Sequence, residues 1–401
     1  MKNAFIVDSI RTPVGNFKGT LAAVRPDDMA AMTIAELVKR NPSLDTKNIG
    51  DVLLGNANGA GEENRNVARM SALLAGLPCS VPGETVNRLC SSGLASAIHA
   101  SRSLILGDSN VMIAGGVESM SRAPYVVSKS SDAWGNSAEM FDSAFGWRFV
   151  NPKMQDMYGT EGMGNTAENL VDMYGIGRED QDKFAFWSQS KAAKATQNGR
   201  LAKEIMPVSI PQRKKDPIIF SQDEFIRPGT SLEGLAGLRP AFKKDGSVTA
   251  GNSSGLNDGA CSVLLANEDG LEQNGLIARA KIISSAVVGV EPRIMGIGPV
   301  EASNRALAKA GLTFADLDII ELNEAFAAQA LACTRAWGIA DDDARLNPNG
   351  GAIAIGHPLG MTGARLLGAA TIELVEQGKE FALVTMCIGV GQGYAAVIQR
   401  V

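Results

Sequence analysis

Along the chain, short apolar runs rich in β-branched residues, such as "AFIVDSI", "DVLLGNA" and "NVMIAGG", alternate with stretches such as "DDMAAMTIAELVKR", whose apolar positions recur every three to four residues. The first pattern predicts strands and the second amphipathic helices. Strands linked by crossover helices make an α/β fold. The same order returns late in the chain: a helix in "VEASNRALAKAG", then "ADLDIIELNEAFA", the glycine-rich "NPNGGAIAIGHPLG", and "FALVTMCIGVGQG". Two similar halves are expected. Laying "IGDVLLGNANGA" from Ile49 over "DLDIIELNEAFA" from Asp316 spaces the halves 267 residues apart and sets Cys90 opposite His357. A further slip of three residues lays the strand from Val111 over that from Phe381, so that Cys387 falls opposite Val117. These polar positions then occupy equivalent strand-to-helix turns, where open α/β sheets bind ligands.

Between the halves, from about Ser119 to Val248, the pattern gives way to Met, Gly, Trp, Pro and charged residues, which reads as an inserted segment. The division expected is 1–118 with 249–270 as the first half, 119–248 as the insertion and 271–401 as the second half. Within the insertion, Lys203 to Lys244 holds eight basic residues against five acidic ones, in a chain of net charge -5. That cluster is either a solvated loop or a local site for a phosphorylated cofactor.

A length of 401 residues exceeds what one hydrophobic core usually supports. The net negative charge argues against a nucleic-acid partner. No apolar run approaches the roughly 18 residues of a membrane span, and the start "MKNAFIVDSIRTPVG" has neither a basic leader nor a signal core. A cytoplasmic protein is therefore expected. Five cysteines without repeated close spacing fit neither a disulfide framework nor a metal site.

Cys90, in "VNRLCSSGLASAIHA", stands at the predicted start of a helix. It reads either as a buried small hydrophobe or as a nucleophile whose thiol pKa the helix dipole lowers. Only two histidines occur in the chain. His357 sits among glycines in "GGAIAIGHPLG", a setting for ligand contact, whereas His99 lies on the helix after Cys90 and reads as structural. Cys387 precedes a glycine-rich turn whose backbone N–H groups can hold an oxyanion. Asn323 and Glu324 read either as a helix cap with an acidic first turn or as site residues at a strand end. Two cysteines, a histidine and an asparagine suit acyl transfer through a thioester, with the second thiol moving a proton.

Together "VNRLCSSG", "NEAFAAQA", "GGAIAIGHPLG" and "CIGVGQG" resemble the thiolase family, and the likeness runs from "IRTPVG" to the last residues. The resemblance implies a duplicated thiolase fold of five layers, α-β-α-β-α, with mixed sheets and an inserted loop domain. It implies Cys90 as the acyl-accepting nucleophile and Cys387 as the acid/base at the acetyl methyl carbon. His357 and a water held by Asn323 would form one oxyanion hole, and the N–H groups of Cys90 and Gly389 the other. Coenzyme A (CoA) would be a co-substrate, with no metal and no permanently bound cofactor, and the assembly a homodimer or homotetramer.

CoA contacts are implied from Ser254 in "TAGNSSGLNDGA", from Arg227, Arg213 and Lys214, and from Met163, Phe242, Ala250, Ala325 and Phe326. Gly162 stands where acetoacetyl-CoA-cleaving members commonly have His. The runs "EENRNVARMSALLAGLP" and "GWRFVNPKM" resemble the branch that cleaves 3-oxoadipyl-CoA to succinyl-CoA and acetyl-CoA. That substrate's distal carboxylate would need a cation, for which Arg148 is the candidate and Lys153 the reserve; the other reading of Arg148 is a brace for the inserted loop or a subunit contact. The neighbouring readings are an acetoacetyl-CoA or medium-chain thiolase, a carrier-protein-dependent condensing synthase, and a non-catalytic acyl-CoA-binding module.

Overall fold

The computed structural model describes residues 2–130 and 132–401. In chain order its main elements are β1 (Phe5–Arg11), α1 (Pro26–Arg40), β2 (Ile49–Gly55), β3 (Gly83–Val86), α2 (Ser92–Leu106) and β4 (Val111–Ser119). The helices α3 (Met163–Tyr174) and α4 (Arg178–Gln197) follow, then β5 (Asn257–Ala266), β6 (Ala280–Gly289), α5 (Gly298–Ala310), β7 (Ile319–Leu322), α6 (Ala327–Trp337), α7 (Leu359–Gln377), β8 (Phe381–Ile388) and β9 (Gln392–Arg400).

The strands run β7-β8-β9-β6-β1-β5-β4-β2-β3 across a mixed sheet. The first half contributes β1, β5, β4 and β2 in the same spatial order as β6, β9, β8 and β7 of the second, so the duplication is present in the hydrogen-bond ladder. Within the sheet the halves meet through β1 and β6, by the antiparallel pairs Phe5↔Lys281 and Ile6↔Ala280, which makes the two sheets one continuous path. Helix α1 covers the outer face of the first half, α5 that of the second, and α2 with α7 lie between them. Five layers result.

Central position explains composition. Helix α7 is buried from Gly360 through Leu374, and α2 over most of its length, so both are enclosed by protein on nearly every side rather than along one stripe. Glycines let these helices approach. A Cβ on Gly93 would lie 2.6 Å from Gly360 O, and one on Gly363 only 2.4 Å from Leu94 N. Gly93 and Gly360 are repeat-equivalent, so equivalent residues of the two halves touch at a pseudo-two-fold axis. The turns preceding both helices, which carry Cys90 and His357, are thereby brought to one place.

Candidate active site

Cys90 lies in a 3₁₀ turn, Leu89–Ser91, immediately ahead of α2. Leu89 adopts φ +48°, a left-handed backbone that costs a non-glycine residue of order 1 kcal/mol. The turn is held by Asn87, whose Oδ1 accepts from Leu89 N at 2.9 Å while its Nδ2 donates to Ala57 O at 2.9 Å. Cys90 opens on a cleft of about 340 Å³ lined by Leu89, Met120, Trp147, Met163, Leu256, Leu359, Val390 and Gly389 among others. Burial pushes the thiol pKa up, and the N–H groups of Gly389 and of Cys90 itself oppose that shift. The thiolate expected from the helix dipole is thus corrected: no cation offsets desolvation here, and what favours the anion is two backbone donors aimed at the sulfur.

Cys387 sits near the end of β8, 1% exposed, in an apolar cluster with Met295, Ala325, Phe326 and Ala328. Burial holds its thiol well above the ordinary range, and the nearby Cys90 adds to the shift. Two thiols, one facing the cleft and one behind it, therefore share the site.

His357 is 5% exposed, and its backbone N–H donates to Asn257 Oδ1 at 2.9 Å. Its Nδ1 is 2.7 Å from Thr362 Oγ1, which also lies 2.9 Å from Pro358 O. A hydroxyl has one proton. Given to Pro358 O, it leaves Oγ1 accepting from Nδ1–H and Nε2 as a base; given to Nδ1, it makes Nε2 a donor. Burial depresses the imidazole pKa to about 3, with Arg365 adding to the effect, so the ring is neutral in the resting protein. Asn323 Nδ2 lies 3.4 Å from Nε2, and Asn323 Oδ1 is buried without a protein partner.

The capping reading of "NEAF" is overturned, because α6 begins only at Ala327 with Phe326 at its N-cap. Glu324 is instead a buried tie: it accepts from Ser188 Oγ at 2.6 Å, Asn347 Nδ2 at 2.7 Å and Ile353 N at 3.2 Å. A Cβ on Gly351 would fall 2.2 Å from its carboxyl carbon, which is one reason the glycine-rich loop must be glycine-rich.

Of the expected CoA contacts, the structure gathers most. Met163 Sδ lies over Gly389, 3.6 Å from where its Cβ would be. Phe242 and Phe326 meet edge to face at 6.0 Å. Ser254 N and Oγ both donate to Ala325 O, at 3.0 and 3.1 Å. A second cleft, of about 290 Å³, is lined by Arg227 and Ala250 with Phe225, Thr230, Ser231 and Leu238. The segment containing Ser254 joins the two clefts, since Ala250 lines one and Leu256 the other. Arg213 and Lys214 are exposed on the turn between the short strands Val208–Ile210 and Ile218–Phe220 and line neither cleft. Arg148 lines the Cys90 cleft, and Lys153 is exposed outside it.

Sequence reasoning passed over Glu118. Fully buried at the end of β4, it accepts from Ala57 N at 2.8 Å, Asn58 N at 3.1 Å and Gly360 N at 2.9 Å. It joins the cleft wall to the His357 loop, and burial raises its pKa to about 7. A lone carboxylate closing the apolar run "VMIAGGVES" at a strand's carboxyl end was the available signal.

A duplicated five-layer α/β chain that presents a cleft thiol backed by a second buried thiol, a neutral imidazole and paired backbone donors is built as a cysteine-dependent acyltransferase. Family models agree: Thiolase, N-terminal domain, matches residues 4–269, and Thiolase, C-terminal domain, matches residues 276–400. The chain belongs to the thiolase family. It is 57% identical over 401 residues to the beta-ketoadipyl-CoA thiolase of Acinetobacter baylyi, and 55% identical over 401 residues to the 3-oxoadipyl-CoA/3-oxo-5,6-dehydrosuberyl-CoA thiolase of Escherichia coli, with all of both chains covered in each case. The crystal structure of the Bacillus anthracis acetyl-CoA acetyltransferase superposes with a TM-score of 0.93 at 40% identity, covering 100% of this chain and 99% of that one. No helix among the described residues is long and apolar enough to cross a membrane.

Proposed function

We propose that this enzyme cleaves 3-oxoadipyl-CoA with CoA to succinyl-CoA and acetyl-CoA through an acyl-enzyme on Cys90. The observation that carries the chemistry is the Cys90 sulfur at the cleft with the N–H groups of Gly389 and Cys90 aimed at it and Cys387 behind it. The substrate is supported by full-length relatives named for it, and by Gly162, which lines the cleft with no side chain and so leaves room for a chain longer than acetoacetyl.

In this reading Nε2 of His357 takes the Cys90 proton as sulfur attacks C3 of the substrate. The alkoxide forming on C3 supplies the negative charge that lets a buried imidazolium exist, and Nε2–H and Asn323, 3.4 Å apart, are spaced to share the C1 thioester oxygen that carries the enolate charge, directly or through a water. The C2–C3 bond then breaks. Acetyl-CoA leaves as its enolate and takes a proton at C2 from Cys387. The succinyl thioester remains on Cys90, its carbonyl oxygen held by the two backbone N–H groups. CoA enters, gives its thiol proton to the Cys387 thiolate and attacks the thioester; succinyl-CoA forms as the bond to Cys90 sulfur breaks, and the departing Cys90 thiolate recovers its proton from Nε2–H of His357. The C3 carbonyl is the electrophile in the first attack, and the thioester carbonyl at C1 takes up the C2–C3 electron pair as the enolate.

The same reading places the CoA arm along the segment from Ala250 to Leu256 and its charged end in the Arg227 cleft. It keeps 119–248 as the inserted CoA-binding unit and a homodimer or homotetramer as the assembly. Arg227 Nη groups face no carboxylate among the described residues, and its guanidinium lies over the Phe225 ring at 5.6 Å. Arg227→Ala is expected to raise KM for CoA about tenfold, the scale of one charge-assisted contact, with little change for a pantetheine-truncated thiol. Lys214→Ala should leave both unchanged. Equal effects of Arg227→Ala on the two thiols would remove this cleft from the CoA phosphates. The substrate is tested by thiolysis of 3-oxoadipyl-CoA, acetoacetyl-CoA and 3-oxooctanoyl-CoA side by side. The largest kcat/KM is expected for 3-oxoadipyl-CoA, and a preference for either of the others would overturn the reading.

A further inference from the structure

Among the described residues that line the Cys90 cleft, Arg148 carries the only charge; its companions there are chiefly Leu, Met, Trp, Ala and Gly. No carboxylate pairs with it among the described residues, although Arg11, Arg25, Arg40, Arg122, Arg178 and Arg200 each face one. The guanidinium is nonetheless held firmly. Its Nη2 donates to Asn58 Oδ1 at 2.9 Å and its Nη1 to Ser143 O at 3.3 Å. Asn58 Nδ2 closes the triangle by donating to Ser143 O at 3.2 Å and Ser143 Oγ at 3.1 Å. Behind the triangle, Asn58 N donates to buried Glu118 at 3.1 Å, so the residue that grips Arg148 is fixed from its backbone as well as its side chain. Trp147 Nε1 is committed to Glu161 O at 3.1 Å, so its N–H is not a donor for the cleft.

We propose that Arg148, gripped by Asn58 and Ser143, is the carboxylate subsite of the acyl pocket and selects 3-oxoacyl-CoA chains that end in an anion. The inference rests on the acyl-enzyme reading above and adds the group that reads the substrate's far end. Two of the five guanidinium N–H groups are used within the protein, which leaves three donors for a ligand. A planar guanidinium already oriented by its neighbours loses little entropy on gripping a carboxylate. An unpaired cation in apolar surroundings in turn disfavours a methyl-ended chain, which would cover the charge without satisfying it. Selectivity therefore arises from both sides.

The test compares 3-oxoadipyl-CoA with 3-oxohexanoyl-CoA, which has the same chain length and a methyl group in place of the carboxylate, using the full-length enzyme and its Arg148→Met and Arg148→Lys variants. Arg148→Met is expected to lower kcat/KM for 3-oxoadipyl-CoA about ten- to a hundredfold and to leave or improve that for 3-oxohexanoyl-CoA, whose turnover also reports that the variant is folded. Arg148→Lys should retain an intermediate preference, since a point charge replaces the fork. A wild-type enzyme that prefers 3-oxoadipyl-CoA while Arg148→Met loses both substrates equally, or neither, would overturn the subsite alone. A wild-type enzyme inactive on 3-oxoadipyl-CoA but active on 3-oxohexanoyl-CoA would overturn the substrate reading and the subsite together.

Discussion

Replacement of Cys90 by serine is expected to abolish the acyl-enzyme and to lower thiolysis by at least about 10³-fold, the scale on which loss of a nucleophile is felt. The turn that presents residue 90 is set by Asn87 and by the left-handed backbone of Leu89, neither of which the substitution touches. A hydroxyl would therefore occupy the sulfur's place with the same two N–H donors aimed at it. Its proton is far harder to remove than that of a thiol, and the imidazole of His357 is a weak base, its pKa already depressed by burial to about 3. Geometry without acidity gives no nucleophile. Mass spectrometry after incubation with acetyl-CoA measures this directly: the wild-type chain should gain one acetyl group and the variant none. An undiminished adduct in Cys90→Ser would move the nucleophile elsewhere, with Cys387 the first alternative.

Cys387→Ala should separate the two halves of the reaction. Formation and cleavage of the carbon–carbon bond are expected to fall about 10²–10⁴-fold, the usual contribution of a positioned acid/base, while acetyl exchange between CoA and Cys90 falls far less. The reason lies in protonation state. Burial and the neighbouring Cys90 keep the Cys387 thiol protonated well above the ordinary thiol range, so in the resting enzyme it is an acid with a proton to give to a carbanion. The substitution removes one sulfur from an apolar cluster and leaves the pairing of β8 with β9 intact, so folding is expected to survive. Equal losses of exchange and thiolysis would show that the two cysteines do not divide the work in this way.

The class of fold was legible because period-2 and period-3.6 alternation are local properties of the chain. The duplication was legible too, since it repeats a local pattern: the 267-residue spacing that sets Cys90 opposite His357 also maps α2 from Ser92 onto α7 from Leu359. The residue types of the site could be picked out because a lone histidine among glycines and a cysteine at a helix start are unusual wherever they occur. Their electrostatics were not legible. The helix dipole pointed to an acidic Cys90, but desolvation outweighs it, and burial can be read only from what surrounds the thiol in three dimensions.

The basic cluster of the insertion likewise divides in the fold. Arg227 turns into a cleft and Arg213 and Lys214 face solvent, a distinction that charge counting along the chain does not contain. The sequence by itself therefore determined the alternating elements, the two halves and the residue types that stand out as candidates for the site, all carried by short-range pattern. Only the tertiary structure decided which groups meet. Glycine contacts between α2 and α7 bring the Cys90 and His357 turns together. Glu118 joins Asn58 to Gly360 across 302 positions of sequence, and Asn58 reaches Arg148 across 90. Those contacts depend on how helices close across the pseudo-two-fold axis, a distance that no local periodicity specifies.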